Sequence, residues 1–245
     1  MCAWRFSAAL TVEVFDFVRS FDRSPAARDL KCVDLFCGTG QVCQTFQNAG
    51  HAAERFDVKM GAVFNFLRKE GFYKALSLVI RLAAFGVLAA GPPWSYFVWM
   101  SSAFHRRTKS CPQGNTAEPR IVFSNLLVVN LTILLIVAKM RTVFWLVEQP
   151  ASFQMWRVWR MQNFFKAGHA QRRHTWMRCF GHQMAKPTVL WSNMPTAAQL
   201  QRRWSLKAEN GAIGTLPMSS GSVATGTLPK GTSVGSKGAT GTFPN

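Results

Sequence analysis

The chain has no C-x-x-C pair. Its six cysteines (Cys2, Cys32, Cys37, Cys43, Cys111, Cys179) stand apart, and no histidine lies at zinc-finger spacing from them. That argues against a bound metal and against a disulfide framework. Acidic residues are few, 11 Asp and Glu against 29 Lys and Arg, and only 16% of residues are charged while 48% are hydrophobic. A chain this apolar must be tested for membrane spans. Ala75 to Val98 contains Arg81 and is broken by Gly91-Pro92-Pro93, which interrupts any helix long enough to cross a bilayer. Leu126 to Ala138 is 13 residues long with Asn130 inside it; a span needs about 20, so this stretch is predicted to be a buried core helix. The opening residues meet Glu13 and Asp16 early and lack the apolar core and cleavage site of a signal peptide. The expectation is an intracellular protein, nuclear or cytoplasmic, with no membrane and no metal.

What is abundant is positive charge. At 245 residues the chain has room for one substantial α/β domain, and its formal charge is +18. Residues 1–150 carry 17 basic and 10 acidic groups, a balance of +7, whereas residues 151–210 carry 10 basic and one acidic, a balance of +9. A cationic half of this density suits a phosphate backbone. A generally basic surface serving only solubility is the alternative.

Four regions follow from composition. Residues 1–29 form an N-terminal segment in which Val12, Phe15 and Val18 recur at helical intervals, with Ser24-Pro25 as a stop. Residues 30–195 alternate between short apolar runs and helical patterns: strands near 32–36, 52–57, 85–90 and 143–147, helices over Gln41 to Asn48, 71–83 and Pro119 to Met140. That order predicts an α/β domain with a mostly parallel sheet and helices on both faces. Beyond residue 150 a helix is expected near 152–165 and strands near 173–178 and 188–191. Residues 196–210 are a basic extension. Residues 211–245 are Gly, Ser, Thr, Ala and Pro with GTLP, GTLP and GTFP copies, a composition expected to be disordered because it buries too little apolar surface.

The most specific motif is Asp34-Leu35-Phe36-Cys37-Gly38-Thr39-Gly40, a strand running into a glycine turn and a helix. The glycines permit positive φ and close approach of a ligand, and the helix N-terminus favours negative charge. Asp57, at the end of the next strand, stands where a carboxylate would accept from both ribose hydroxyls of a nucleoside cofactor. These residues resemble the first signature motif of the DNA cytosine-C5 methyltransferases. Gly91-Pro92-Pro93-Trp94-Ser95 resembles that family's G-P-P-C loop, and Glu148-Gln149-Pro150 its E-N-V motif, in the expected order at the ends of later strands. The likeness covers roughly residues 30–192. It implies a Rossmann-like fold that binds S-adenosylmethionine (SAM) through Asp34, Phe36, Gly38, Gly40, Asp57, Asn65 and Pro92. It places Pro93, Trp94 and Glu148 against the reacting base.

The departures bear on chemistry. The cytosine enzymes add a thiolate to the base while a glutamate stabilises the adduct. This chain has Glu148 but carries Trp94 at the thiol's position, and an indole forms no such adduct. Cys111, 17 residues on, would need a folded loop to substitute. Amino methyltransferases use a [DNS]-P-P-aromatic loop in which the ring stacks on the flipped base; Trp94 suits that, but Gly91 has no side chain to accept from the amine. Arg106, Arg107 and Lys109, then Arg172 and Arg173, are the expected nucleic-acid contacts, with DNA favoured over RNA. Trp94 and Tyr96 are interleaved as stacking groups, and core packing is the alternative for Trp99, Trp156 and Trp159. Gln171-x-Arg173 is faintly like a later family motif, and Lys186-Pro187-Thr188 reads as a turn. Only about 60 residues separate Glu148 from the tail, less than the family's sequence-reading domain. A non-catalytic nucleic-acid-binding scaffold and an amino methyltransferase are the competing functions.

Overall fold

A computed structural model of the protein describes Asp16 and residues 28–203. The expected helix over 12–21, apart from Asp16, the tail at 211–245 and the end of the basic extension lie outside the described residues.

The architecture is α/β, built on one six-stranded, mostly parallel but mixed sheet. Strand β1 (Leu30–Leu35) is buried over nearly its whole length, as an apolar run flanked by strands on both sides should be. The glycine turn leads into α1 (Gln41–Asn48), then β2 (Ala53–Phe56), α2 (Lys69–Ile80) and β3 (Leu82–Ala90). A short helix α3 (Ser102–His105) precedes α4 (Pro119–Met140), β4 (Phe144–Pro150), α5 (Trp159–Ala167), β5 (Gln171–Trp176) and β6 (Pro187–Ser192). The strand order is β2-β1-β3-β4-β6-β5, with β1, β2, β3 and β4 parallel. Residues 177–186 are too few for a parallel crossover, which takes a dozen or more, so β6 returns antiparallel beside β5 and inserts between it and β4.

Alternation along β1 sends Val33 and Leu35 into the main core with α2, α4 and α5, while Cys32 meets Cys43 of α1 and Ala53 of β2 on the opposite face. Helix α4 begins with Glu118 accepting from the Arg120 N–H and Pro119 in the first turn, both favourable at a helix start. Its apolar stretch exceeds the 13 residues counted from sequence. The helix spans 22 residues and is long and apolar enough to cross a membrane by length and composition, yet 67% of its most apolar 18-residue window is buried within the fold. Asn130, the residue that interrupted the apolar count, donates Nδ2 to Phe66 O at 3.0 Å.

Several expected elements shift: the helix expected over 71–83 ends at Ile80, and Leu82 and Ala83 open β3, expected only from 85. The helix expected near 152–165 is a 3-10 turn at Met155–Arg157 followed by α5, and β4 runs to Pro150 rather than stopping at Val147. Antiparallel pairing with β6 continues through Glu148↔Leu190 and Pro150↔Thr188 and extends the strand. Glu148-Gln149-Pro150 is therefore part of a strand, not a loop after one.

Candidate functional site

The parallel register aligns Leu35, Ala90 and Val147 across three neighbouring strands. The next residues, Phe36, Gly91 and Glu148, consequently stand side by side at the carboxyl end of the sheet, where open α/β sheets bind ligands. Gly91 donates its N–H to Leu35 O at 3.1 Å. A Cβ on Gly91 would lie 3.8 Å from Glu148 Oε2 and 3.9 Å from Phe36 O, so the bare glycine leaves room where these two motifs meet.

The glycine turn is tightly specified. Phe36 adopts φ +57°, a region that non-glycine residues seldom occupy, and its ring meets Phe66 edge-on at 5.1 Å. Asp57 closes the turn: Oδ2 accepts from Gly38 N–H at 3.0 Å and Oδ1 from Lys59 N–H at 2.9 Å. One acceptor position on each oxygen thus holds the backbone, and a carboxylate oxygen accepts more than one bond. Gly38 faces open space, whereas a Cβ on Gly40 would meet the Arg55 side chain at 2.5 Å. Arg55 lies over the turn, a cation that the motif did not point to.

Two expected cofactor residues serve structure. Asp34 is buried and accepts from Cys43 N–H at 3.2 Å, anchoring α1 beneath the turn. Burial pushes its carboxyl above the ordinary range, against the lowering effect of that hydrogen bond. Asn65 directs Oδ1 to the Leu67 N–H at 3.0 Å, and Gly71 packs against its carbonyl.

The Pro-Pro loop follows β3, the third strand of the described chain, and Pro92 is buried while Pro93 is exposed. Gln149 Nε2 donates to Pro92 O at 2.9 Å and fastens the loop to β4. Gln149 is 1% exposed, and its Oε1 has no hydrogen-bond partner. Trp94 is 45% exposed. Glu148 is half-buried and ion-paired with Lys186 Nζ at 3.1 Å. Lys186, read from sequence as turn chemistry, belongs to the site. The available signal was that Glu148 is the only carboxylate between Glu118 and Glu209, and a half-buried carboxylate needs a cation. No thiol takes the place that Trp94 occupies. Burial, followed by the charges of Asp34 and Asp57, pushes the Cys37 thiol up, away from the thiolate. Cys111 is tied into its own turn, its N–H donating to Thr108 Oγ1 at 2.9 Å.

Of the expected nucleic-acid contacts, Arg106, Lys109 and Arg172 are exposed and Arg173 is half-buried. Arg107 is a correction. It is 5% exposed, and its guanidinium donates to Tyr96 O, Pro112 O, Asn125 Oδ1 and Ser124 Oγ while lying 4.1 Å from the Phe97 ring centroid. It fastens the segment after the Pro-Pro loop to α4 and is not presented to a phosphate. His105 supports the same clasp: its Nδ1 accepts from Arg107 N–H, which leaves the proton on Nε2 to bond Val98 O. Arg173 shares a sheet face with Glu148 through the row Glu148, Leu190, Arg173, and donates to Gln171 Oε1 at 2.8 Å. Trp156 packs partly against the core, as its alternative reading held, whereas Trp159 is largely exposed. No protein-family model matches the chain, and no curated protein matches it.

Proposed function

We propose that the chain is a SAM-binding, methyltransferase-like protein of Rossmann-like type that acts on nucleic acid. The observation that carries this reading is the meeting of Phe36, Gly91 and Glu148 at the ends of three adjacent parallel strands, next to a glycine turn closed by Asp57. The residues suit an adenosyl group. Gly38 leaves open space and Asp57 retains acceptor capacity for ribose hydroxyls. SAM bound there supplies an electrophilic methyl group. Glu148, held by Lys186, is the acceptor for the amine edge of an extruded base beside N3, and Trp94 is the indole on which that base stacks.

A second reading is a nucleic-acid-binding scaffold without catalysis, and the lack of a thiolate at the Pro-Pro loop favours it. Gly91 itself has no side chain to accept from a base amine, so the amino-methyltransferase variant lacks the acceptor that its loop carries at that position.

Calorimetry with SAM tests the cofactor, with Asp57→Ala expected to abolish the binding heat; a parent with no SAM affinity ends the proposal. Incorporation of labelled methyl from SAM into DNA and RNA then separates enzyme from scaffold. Cytosine methylation gained only in Trp94→Cys would assign the parent to the scaffold reading.

A further inference from the structure

Residues 151–203 hold nine Lys and Arg and no Asp or Glu, so their cations find no carboxylate within the stretch. Lys186 has Glu148. Arg172 has aromatic rings instead. It sits exposed on β5, the edge strand, with its guanidinium carbon 5.7 Å from the Trp156 ring centroid and 5.4 Å from that of Trp191. Beneath it Trp191 stacks on Phe165 at 4.6 Å and 13°, and Phe165 on the fully buried Trp145 at 5.7 Å and 10°. A column of rings therefore runs from the core to the surface and ends under a cation. Among the described residues the Arg172 guanidinium has no hydrogen-bond or ion-pair partner. A guanidinium held within cation–π range of two indoles, with its N–H donors uncommitted to the protein, remains available for bidentate contact with a phosphate.

This platform adjoins the candidate site. Gln149, which holds Pro92, lines one shallow surface recess together with Trp156, Arg172 and Trp191. Exposed indoles flank it in the chain: Trp94 follows Pro92 by two residues, and Trp159, 44% exposed, follows Trp156 by three. Bases of a duplex already stack on one another and offer such indoles nothing until they unstack, whereas an unpaired strand presents its faces at once.

We propose that the β5 edge is a single-stranded nucleic-acid interface, in which Arg172 beside Trp156 and Trp191 takes a backbone phosphate and the exposed indoles of Trp94 and Trp159, close in the chain to Pro92 and Trp156, stack on unpaired bases. The proposal rests on the nucleic-acid half of the function above and is independent of SAM.

The test is fluorescence anisotropy of the full chain with labelled 20-nucleotide mixed-sequence DNA and RNA, each single-stranded and as a duplex, over a salt series. Single strands of either sugar are expected to bind at least tenfold tighter than the duplexes, on the order of one stacked base. Arg172→Gln is expected to weaken single-strand binding about tenfold and to lower the slope of log affinity against log salt by about 0.7, one phosphate contact. Arg172→Lys restores the slope without the full affinity, because an ammonium lacks the planar fork that holds a phosphate by two bonds. Duplexes bound as tightly as single strands, or an Arg172→Gln protein with a parental melt and parental affinity, overturn the proposal while nucleic-acid binding stands. If no strand of any kind binds, the nucleic-acid function falls with it, and SAM binding is still decided by its own titration.

Discussion

Arg107 and Asp34 are both charged groups taken out of water, and the fold treats them in opposite ways. Arg107 keeps its charge by donating to four oxygens from three segments, although burial pulls its pKa down to about 10. Arg107→Met removes those bonds and leaves buried acceptors unpaired, so urea denaturation should show a loss of roughly 3 kcal/mol or more. Oligonucleotide affinity of the folded fraction should stay parental, unlike that of the exposed Arg172 variants. Asp34 has one backbone donor and no ion-pair partner, and its carboxyl is raised chiefly by burial, which outweighs the Cys43 hydrogen bond and the charge of Arg55. A raised group holds its proton more tightly folded than unfolded, so its contribution is complete below its ordinary pKa of 3.8 and is lost as pH rises through the higher folded value. Asp34→Asn can still accept from Cys43 N–H but cannot ionise. Its melting temperature should exceed the parent's at neutral pH, with the gap closing towards acid; equal gaps at both ends would refute the assignment. Cysteine reactivity separates along the same lines. Iodoacetamide at neutral pH should label the exposed Cys111 and Cys179 ahead of Cys37, whose thiol is pushed up, with Cys32 and Cys43 modified only on unfolding, as peptide mass spectrometry would read.

At the scale of elements, the sharpest constraint is where α2 begins. A Cβ on Gly71 would fall 2.0 Å from the backbone oxygen of Asn65, so the helix can approach the 3-10 turn before it only with hydrogen at this position. Gly71→Ala should cost about 2–3 kcal/mol by urea denaturation, although alanine is the better helix former. Element boundaries that follow from local chemistry were legible in the sequence: α1 over Gln41–Asn48 and α4 over Pro119–Met140 have the predicted limits. The end of β4 was not, because Glu148, Gln149 and Pro150 look like a polar strand terminus until β6 pairs with them. That Glu148 would need a cation was legible, but that Lys186 supplies it was not, for the same reason. Lys186 lies 38 residues from Glu148, and nothing local to a Lys-Pro turn says which strand it will stand beside.

At the scale of the whole molecule, charge is divided in a way the sheet makes use of. The parallel strands carry the glycine turn, the Pro-Pro loop and Glu148 to one end, while the antiparallel pair β5–β6 places the carboxylate-free stretch on the sheet's edge beside β4. Binding governed by that edge should be strongly weakened by salt for the parent and less so for Arg172→Gln, whereas Arg107→Met should leave the salt dependence unchanged.

The sequence alone determined the α/β class of the described region, the glycine turn and the excess of cations, because strand and helix periodicity, backbone permissiveness and net charge are properties of neighbouring residues or of composition. Which cations face solvent, which carboxylate is paired and which motifs share one corner were decided by tertiary structure. Register between strands, and burial by segments distant in the chain, set those relations: four oxygens from elsewhere close around Arg107, and two indoles brought together from β6 and the turn before α5 lie beneath Arg172.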